Sequence, residues 1–232
     1  MLTSGQKRYR HELKYLVSAS DALVLSKRLG AVLPHDAHAG PNGRYTVRSL
    51  YFDTPRDRAL REKSAGESSR EKWRLRTYGT GAGEAPFNLE RKIKIDGVGR
   101  KERARLERAG AEALIACSWR DIDPGGDRVL EEFLRCMRGG GLIPRTVVVY
   151  EREAFRYAAG NVRITLDANM RSSPRARALI DPKALLMPIE AGSVVLEVKF
   201  DAFLPSFIRD AIQTPGAVRT AWSKYALARR FE

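Results

Sequence analysis

The chain has 232 residues, with 42 Lys and Arg against 28 Asp and Glu, so it carries a formal charge of +14 and an anion is the expected partner. Hydrophobic residues at 43% and aromatic residues at 8% suffice for a packed core and exclude a disordered chain; residues 1–232 read as one domain. The charged N-terminus has no signal-peptide apolar region and no window approaches the ~18 apolar residues of a membrane span, which predicts a soluble, cytoplasmic protein.

A first strand is expected around Arg8–Val17. A surface helix follows over Ser20–Leu33, where Leu23, Leu25, Leu29 and Leu33 recur near helical spacing and Ser20 or Asp21 serves as N-cap. The segments 45–53 (YTVRSLYFD), 72–78 (KWRLRTY) and 87–95 (FNLERKIKI) alternate or are β-branched and aromatic, which predicts strands. Asp53, followed by Thr54 and Pro55, reads as a turn or cap residue where the chain leaves the first of them. A helix is expected at about 127–138, strands at 146–155, 162–167 and 194–200, and helices at 205–213 and 222–231, lying against the sheet or plugging one end of it. Turn signals at Gly79–Gly83, Asp96–Gly97, Ala159–Asn161 and Glu190–Gly192 make the sheet largely antiparallel and the class α+β. Cys117 and Cys136 read as reduced packing residues, and Trp73, Phe155, Phe200 and Phe203 as core. His11, His35 and His38 match no zinc-ligand spacing.

Charge on the strands carries the functional information. Alternation places Lys72, Arg74, Arg76 and Tyr78 on one face of 72–78 and Trp73, Leu75 and Thr77 on the other. In the same way Glu197 and Lys199 oppose Leu196, Val198 and Phe200, while Arg163, Thr165 and Asp167 oppose Val162, Ile164 and Leu166. In 87–95, Asn88, Glu90, Lys92 and Lys94 oppose Leu89, Ile93 and Ile95, with Arg91 out of pattern. A solvated face usually mixes signs, whereas Arg74 with Arg76, Lys92 with Lys94, and Arg100, Lys101 and Arg103 gather like charges that repel unless an anion lies among them. If these faces line a closed or nearly closed barrel, its interior is a cationic tunnel suited to a polyphosphate or a nucleoside triphosphate. Arg can bind two phosphate oxygens, Lys supplies a mobile charge, and a carboxylate among them can hold a divalent cation bridging phosphates. No Walker-type phosphate loop and no Ser/His/Asp arrangement has sequence support.

The ordered series RHELKYLV (10–17), VRSLYFDT (47–54), KWRLRTYG (72–79), LERKIKI (89–95), VYEREAF (149–155), VRITLD (162–167), LEVKF (196–200) and SKYALAR (223–229) resembles the VTC-type polyphosphate polymerase domain. That family belongs to the triphosphate tunnel metalloenzymes and is similar to CYTH domains. The resemblance implies an antiparallel β tunnel with flanking helices and a C-terminal helix. It would bind ATP and inorganic polyphosphate with Mn²⁺ or Mg²⁺ and transfer the γ-phosphoryl of ATP to a growing chain. Carried across, the catalytic cations are Arg74, Arg76, Lys199 and Lys224, and Lys14, Lys92, Arg152 and Arg163 join them in binding substrate. Glu197 is the metal carboxylate and Glu12 a second candidate. One further basic position is Lys101 or Arg103, with Arg103 preferred.

The resemblance departs from the superfamily's ExExK pattern at Arg10-His11-Glu12-Leu13-Lys14, where Arg10 replaces the first acid, pointing to the polymerase branch. The phosphate-sensing helical domain and membrane segments of the eukaryotic polymerase are not seen, and a membrane or protein partner stays open. Without the resemblance, Glu197 and Lys199 read as a structural pair, Arg152 as neutralising Glu151 and Glu153, and Lys224 as a solvated helix residue. A metal-dependent triphosphatase or short-chain polyphosphatase, and a non-catalytic polyphosphate-binding protein, are the competing functions. No RNP-like motif, helix-turn-helix or stacking platform points to specific nucleic-acid binding.

Overall fold

The computed structural model describes residues 11–81, 83, 85–96 and 98–231, without the side chains of Asp121 and Phe231. Arg8–Arg10 of the first expected strand, including the position where Arg10 replaces an acid, and Gly97 of the expected turn lie outside the described residues. The chain runs through β1 (His11–Ser18), α1 (Ala19–Val32), β2 (Arg44–Asp53), α2 (Arg58–Ser64), β3 (Arg70–Tyr78), β4 (Phe87–Ile95), β5 (Val98–Leu106), α3 (Arg108–Ile115), α4 (Arg128–Gly140), β6 (Ile143–Tyr157), β7 (Val162–Ser173), β8 (Met187–Pro188), β9 (Ser193–Phe200), α5 (Ser206–Ala211), β10 (Val218–Arg219) and α6 (Lys224–Ala228). The class is α+β with antiparallel strands, as the sequence predicts.

Two compact units form. The first comprises Met1–Tyr45, Glu151–Asn169 and Glu190–Trp222; the second comprises Thr46–Tyr150, Met170–Ile189 and Ser223–Glu232. In the first, the strand order is β10-β1-β9-β7-β6, and Val17, Ile164, Leu166, Val194, Leu196 and Val198 turn one sheet face toward Ala22, Leu25 and Leu29 of α1 and Ile208 of α5. In the second, the order is β6-β2-β3-β4-β5 with β8 on β7. Its apolar face, with Leu50, Phe52, Trp73, Leu75 and Leu89, packs on Ala111 and Leu114 of α3 and Leu130, Phe133 and Leu134 of α4. In each unit helices cover the apolar side of the alternation, which leaves the charged side for other work.

Local chemistry sets the element ends. α1 begins one residue earlier than expected because Ser18, not Ser20 or Asp21, caps it: its Oγ accepts from the Asp21 N–H at 3.0 Å. Asp127 caps α4 by accepting from Val129 and Leu130, and Gly141 ends it at a φ of +65°. Cys117 is exposed rather than packed, because at φ +58° it forms the left-handed stop of α3. Phe203 is likewise 57% exposed: beyond β9 its backbone carbonyl closes over Gly160, where φ is +75°, and the ring stays outside the core.

Asp53 is the turn and cap residue expected. Its carboxylate accepts from the N–H groups of Thr54, Ala59 and Leu60 at 2.8, 2.9 and 3.1 Å, and from the Tyr225 hydroxyl at 2.7 Å, joining α2 to α6. Burial, together with Asp53, pushes the Tyr225 phenol far above its ordinary pKa, so it donates at every working pH. Tyr225→Phe removes one bond to a charged acceptor that keeps three others, and thermal unfolding should show a loss of about 1.5 kcal/mol.

Candidate functional site

The second unit places its cations in cross-strand rows. Register aligns Tyr51, Arg74, Glu90 and Arg103 in one row and Ser49, Arg76, Asn88 and Arg105 in the next. A third row aligns Lys72, Lys92 and Lys101, three like charges on adjacent strands. Three of these cations converge on one carboxylate. The Arg74 Nε donates to Glu90 Oε2 at 2.6 Å, an Arg76 nitrogen stands 3.7 Å from the same oxygen, and the Lys101 ammonium binds Oε1. Burial opposes the charge on Glu90, but Arg74, Arg76 and Lys101 outweigh it and hold the carboxyl well below the usual range. Arg74 is partly buried, and Glu90 overcomes that penalty to hold its guanidinium above the ordinary arginine range. For Lys101 the balance reverses: burial, with Arg74 and Arg76 nearby, lowers it despite Glu90.

Arg76 is further fixed by Ser49 Oγ at 3.2 Å and the Tyr150 hydroxyl at 3.4 Å. α6 lies against this charged face. The Tyr225 ring stacks on Tyr51 with centroids 5.1 Å apart, the Lys224 Nζ sits 4.7 Å from the Tyr150 ring centroid, and Lys72 donates to Ser223 Oγ at 2.9 Å. Arg91, out of pattern in the alternation, belongs to the helix side: it lies 5.2 Å over Trp73 and pairs with Glu71 at 2.6 Å.

The first unit arranges its charges differently. Register aligns Glu12, Lys199 and Arg163 in one row and Lys14, Glu197 and Thr165 in the next. Lys14 Nζ reaches Glu12 at 2.9 Å and Glu197 at 3.5 Å, and Lys199 Nζ reaches the other Glu197 oxygen at 2.6 Å. Burial disfavours the Lys14 ammonium, yet Glu197 and Glu12 raise its pKa, so it stays charged well above neutrality. Arg163 donates to Asp36 and to the Tyr45 hydroxyl, both at 3.0 Å. Arg152 makes a two-pronged bond to Asp167 at 2.6 and 2.7 Å. Each cation here is matched by a carboxylate, in contrast to the three that share Glu90.

Of the residues singled out from the sequence, Arg74, Arg76, Lys92, Lys101, Arg103 and Lys224 fall in the second unit. Lys14, Arg152, Arg163, Lys199, Glu12 and Glu197 fall in the first. Lys101 and Arg103 share one face, and Lys101 is the one that touches Glu90. Sequence reasoning gave Glu90 no role, although its place two residues before Lys92 already put it on the charged face. Asp36, outside any strand pattern, offered no such signal. Glu12 and Glu197 together present two hard oxygen donors, which suits a small divalent cation whose remaining ligands are phosphate and water. Among the described residues no group of three or more His, Cys, Asp or Glu converges.

The family model of the VTC domain matches residues 9–231, across both units. Among solved structures, a candidate adenylate cyclase from Bacillus halodurans is similar at 16% identity and a TM-score of 0.50, covering 89% of this chain and 87% of that one. A protein from Pyrococcus horikoshii OT3 aligns at 14% identity and a TM-score of 0.42, with 87% and 84% covered. A conserved protein from Pyrococcus furiosus aligns at 12% and 0.39, with 88% and 85% covered. No curated protein matches the chain significantly. With nearly every residue matched by one family model and the fold shared with a solved relative, the chain belongs to the VTC domain family.

Proposed function

We propose that this VTC domain is a polyphosphate polymerase that transfers the γ-phosphoryl of ATP to a growing inorganic polyphosphate chain. The observation that carries the reading is the convergence of Arg74, Arg76 and Lys101 on the single carboxylate of Glu90, beside the Lys72, Lys92 and Lys101 row. Such a face has an excess of positive charge that a polyphosphate would complete. Arg74 and Arg76 hold phosphate oxygens with their planar forks, Lys92, Arg103 and Lys224 add charge, and Lys14, Arg152, Arg163 and Lys199 serve the first unit's face.

Glu197 and Glu12 would hold Mn²⁺ or Mg²⁺, which supplies neutralisation of phosphate charge when bound. In the transfer, a terminal oxygen of the acceptor chain forms a bond to the γ-phosphorus as the bond to the β,γ-bridging oxygen breaks, and ADP leaves. The acceptor is already ionised near neutral pH, so no general base is required. Positioning and electrostatic stabilisation by the arginines and lysines do the chemistry.

Purified protein given ATP and Mn²⁺ should release ADP faster when a short polyphosphate primer is added; ADP release indifferent to primer would favour hydrolysis. Glu197→Gln should raise the Mn²⁺ concentration needed for half-maximal rate by about tenfold or more, a larger effect than the stability lost as Lys14 and Lys199 give up their shared carboxylate. An unchanged Mn²⁺ titration would remove Glu197 from the metal site.

A further inference from the structure

Thr165 has no role in the reading above. It lies in the middle of β7 and is 2% exposed, and its hydroxyl oxygen is buried without a hydrogen-bond partner among the described residues. Nearly every buried hydroxyl is satisfied, since leaving one unpaired costs about 1–3 kcal/mol. The position is also not one where a hydroxyl serves the core. The helix-covered side of β7 is built by Val162, Ile164 and Leu166, and alternation turns Thr165 to the charged side with Arg163 and Asp167. There it stands directly across from Glu197, itself across from Lys14, while the adjacent row carries Lys199 and Arg163. Val would fill the same volume without the penalty, so the hydroxyl is misplaced for stability alone.

We propose that Thr165 is a phosphate-binding residue: its hydroxyl donates a hydrogen bond to a phosphate oxygen of the substrate held by Lys14, Lys199 and Arg163. An anionic oxygen fits better than a cation because a hydroxyl beside three positive side chains has its proton to give. Lys14 and Lys199 both turn onto Glu197, at 3.5 and 2.6 Å. Phosphate oxygens that recruit these ammonium groups would take their place as partners and reach the row in which Thr165 waits. The inference rests on the proposed function, because it needs phosphate at this face, but it names a neutral donor that charge reasoning passes over.

The two roles of the hydroxyl give opposite signs in one experiment. Thr165→Val and Thr165→Ser would be compared with the wild-type chain for thermal unfolding without ligand and for binding of inorganic tripolyphosphate by calorimetry. The Val variant should unfold at a higher temperature than wild type when ligand-free and should bind tripolyphosphate about tenfold more weakly, the loss of one hydrogen bond to a charged acceptor. The Ser variant should bind within about twofold of wild type. Wild-type affinity in the Val variant would overturn the assignment while leaving the phosphate reading intact. A Val variant that unfolds earlier without ligand would also overturn it, by revealing a structural partner for the hydroxyl. A wild-type chain that does not bind tripolyphosphate would sink the proposed function itself, and the assignment with it.

Discussion

Glu90→Gln is expected to destabilise the ligand-free protein at low salt by roughly 2–4 kcal/mol, among the largest effects of any single substitution on the charged faces. Glu90 is 3% exposed and is the shared partner of Arg74, Arg76 and Lys101. An amide keeps the shape and removes the charge, leaving three cations to repel one another. The value stays below that of a fully buried network because Lys101 is half exposed and screened by water. Tripolyphosphate should restore most of the lost stability, since a ligand at a hundred times its Kd adds about 2.7 kcal/mol. Rescue by tripolyphosphate but not by chloride at equal ionic strength would mark the face as a phosphate site; equal rescue by both would reduce it to screening.

The same carboxylate gives the protein an acid limit. Its folded-state pKa lies below the unfolded value of about 4.3, so its stabilisation is complete above that value and is lost progressively as pH falls toward the depressed one. Unfolding followed against pH should steepen below about pH 4.5 in the wild type and much less in Glu90→Gln. Identical acid profiles would show that other carboxylates govern acid unfolding.

The second large effect is on activity. Arg76→Ala should lower the rate of phosphoryl transfer by about 10²–10³-fold, the usual cost of removing a preorganised donor to developing charge. Stability should fall as well, because the buried Ser49 and Tyr150 hydroxyls lose their donor while Glu90 keeps Arg74 and Lys101, so rates are compared at a temperature where thermal unfolding shows the variant folded. Lys199→Ala in the first unit should have a comparable effect on rate while Glu197 keeps Lys14. Full activity in either variant would contradict the assignment of the charged faces.

The strands were legible because their alternation is strong: 87–95 is found as read, and 194–200 gains only Ser193. β5 was missed because Gly99, Arg100, Lys101, Glu102 and Arg103 interrupt any apolar rhythm, and only Ala104 and Leu106 face the core. α2 and α3 are short, and helices of seven or eight residues hold to the sheet by packing rather than propensity. The charged faces could be read one strand at a time, since alternation fixes which side a residue takes. What could not be read was register: that Glu90 lies opposite both Arg74 and Arg103, and Glu197 opposite both Lys14 and Thr165, depends on hydrogen bonding between distant segments. Asp36, partner of Arg163, sits in a loop whose pattern carries no such information.

The most direct measurement is to incubate the protein with γ-labelled ATP, Mn²⁺ and a short polyphosphate primer, and to resolve the products by chain length on a gel. The account predicts labelled chains that lengthen with time, in the wild type and not in Arg76→Ala. Label appearing only as orthophosphate would contradict the polymerase reading and make the domain a triphosphatase; polyphosphate binding without either product would make it a binding protein.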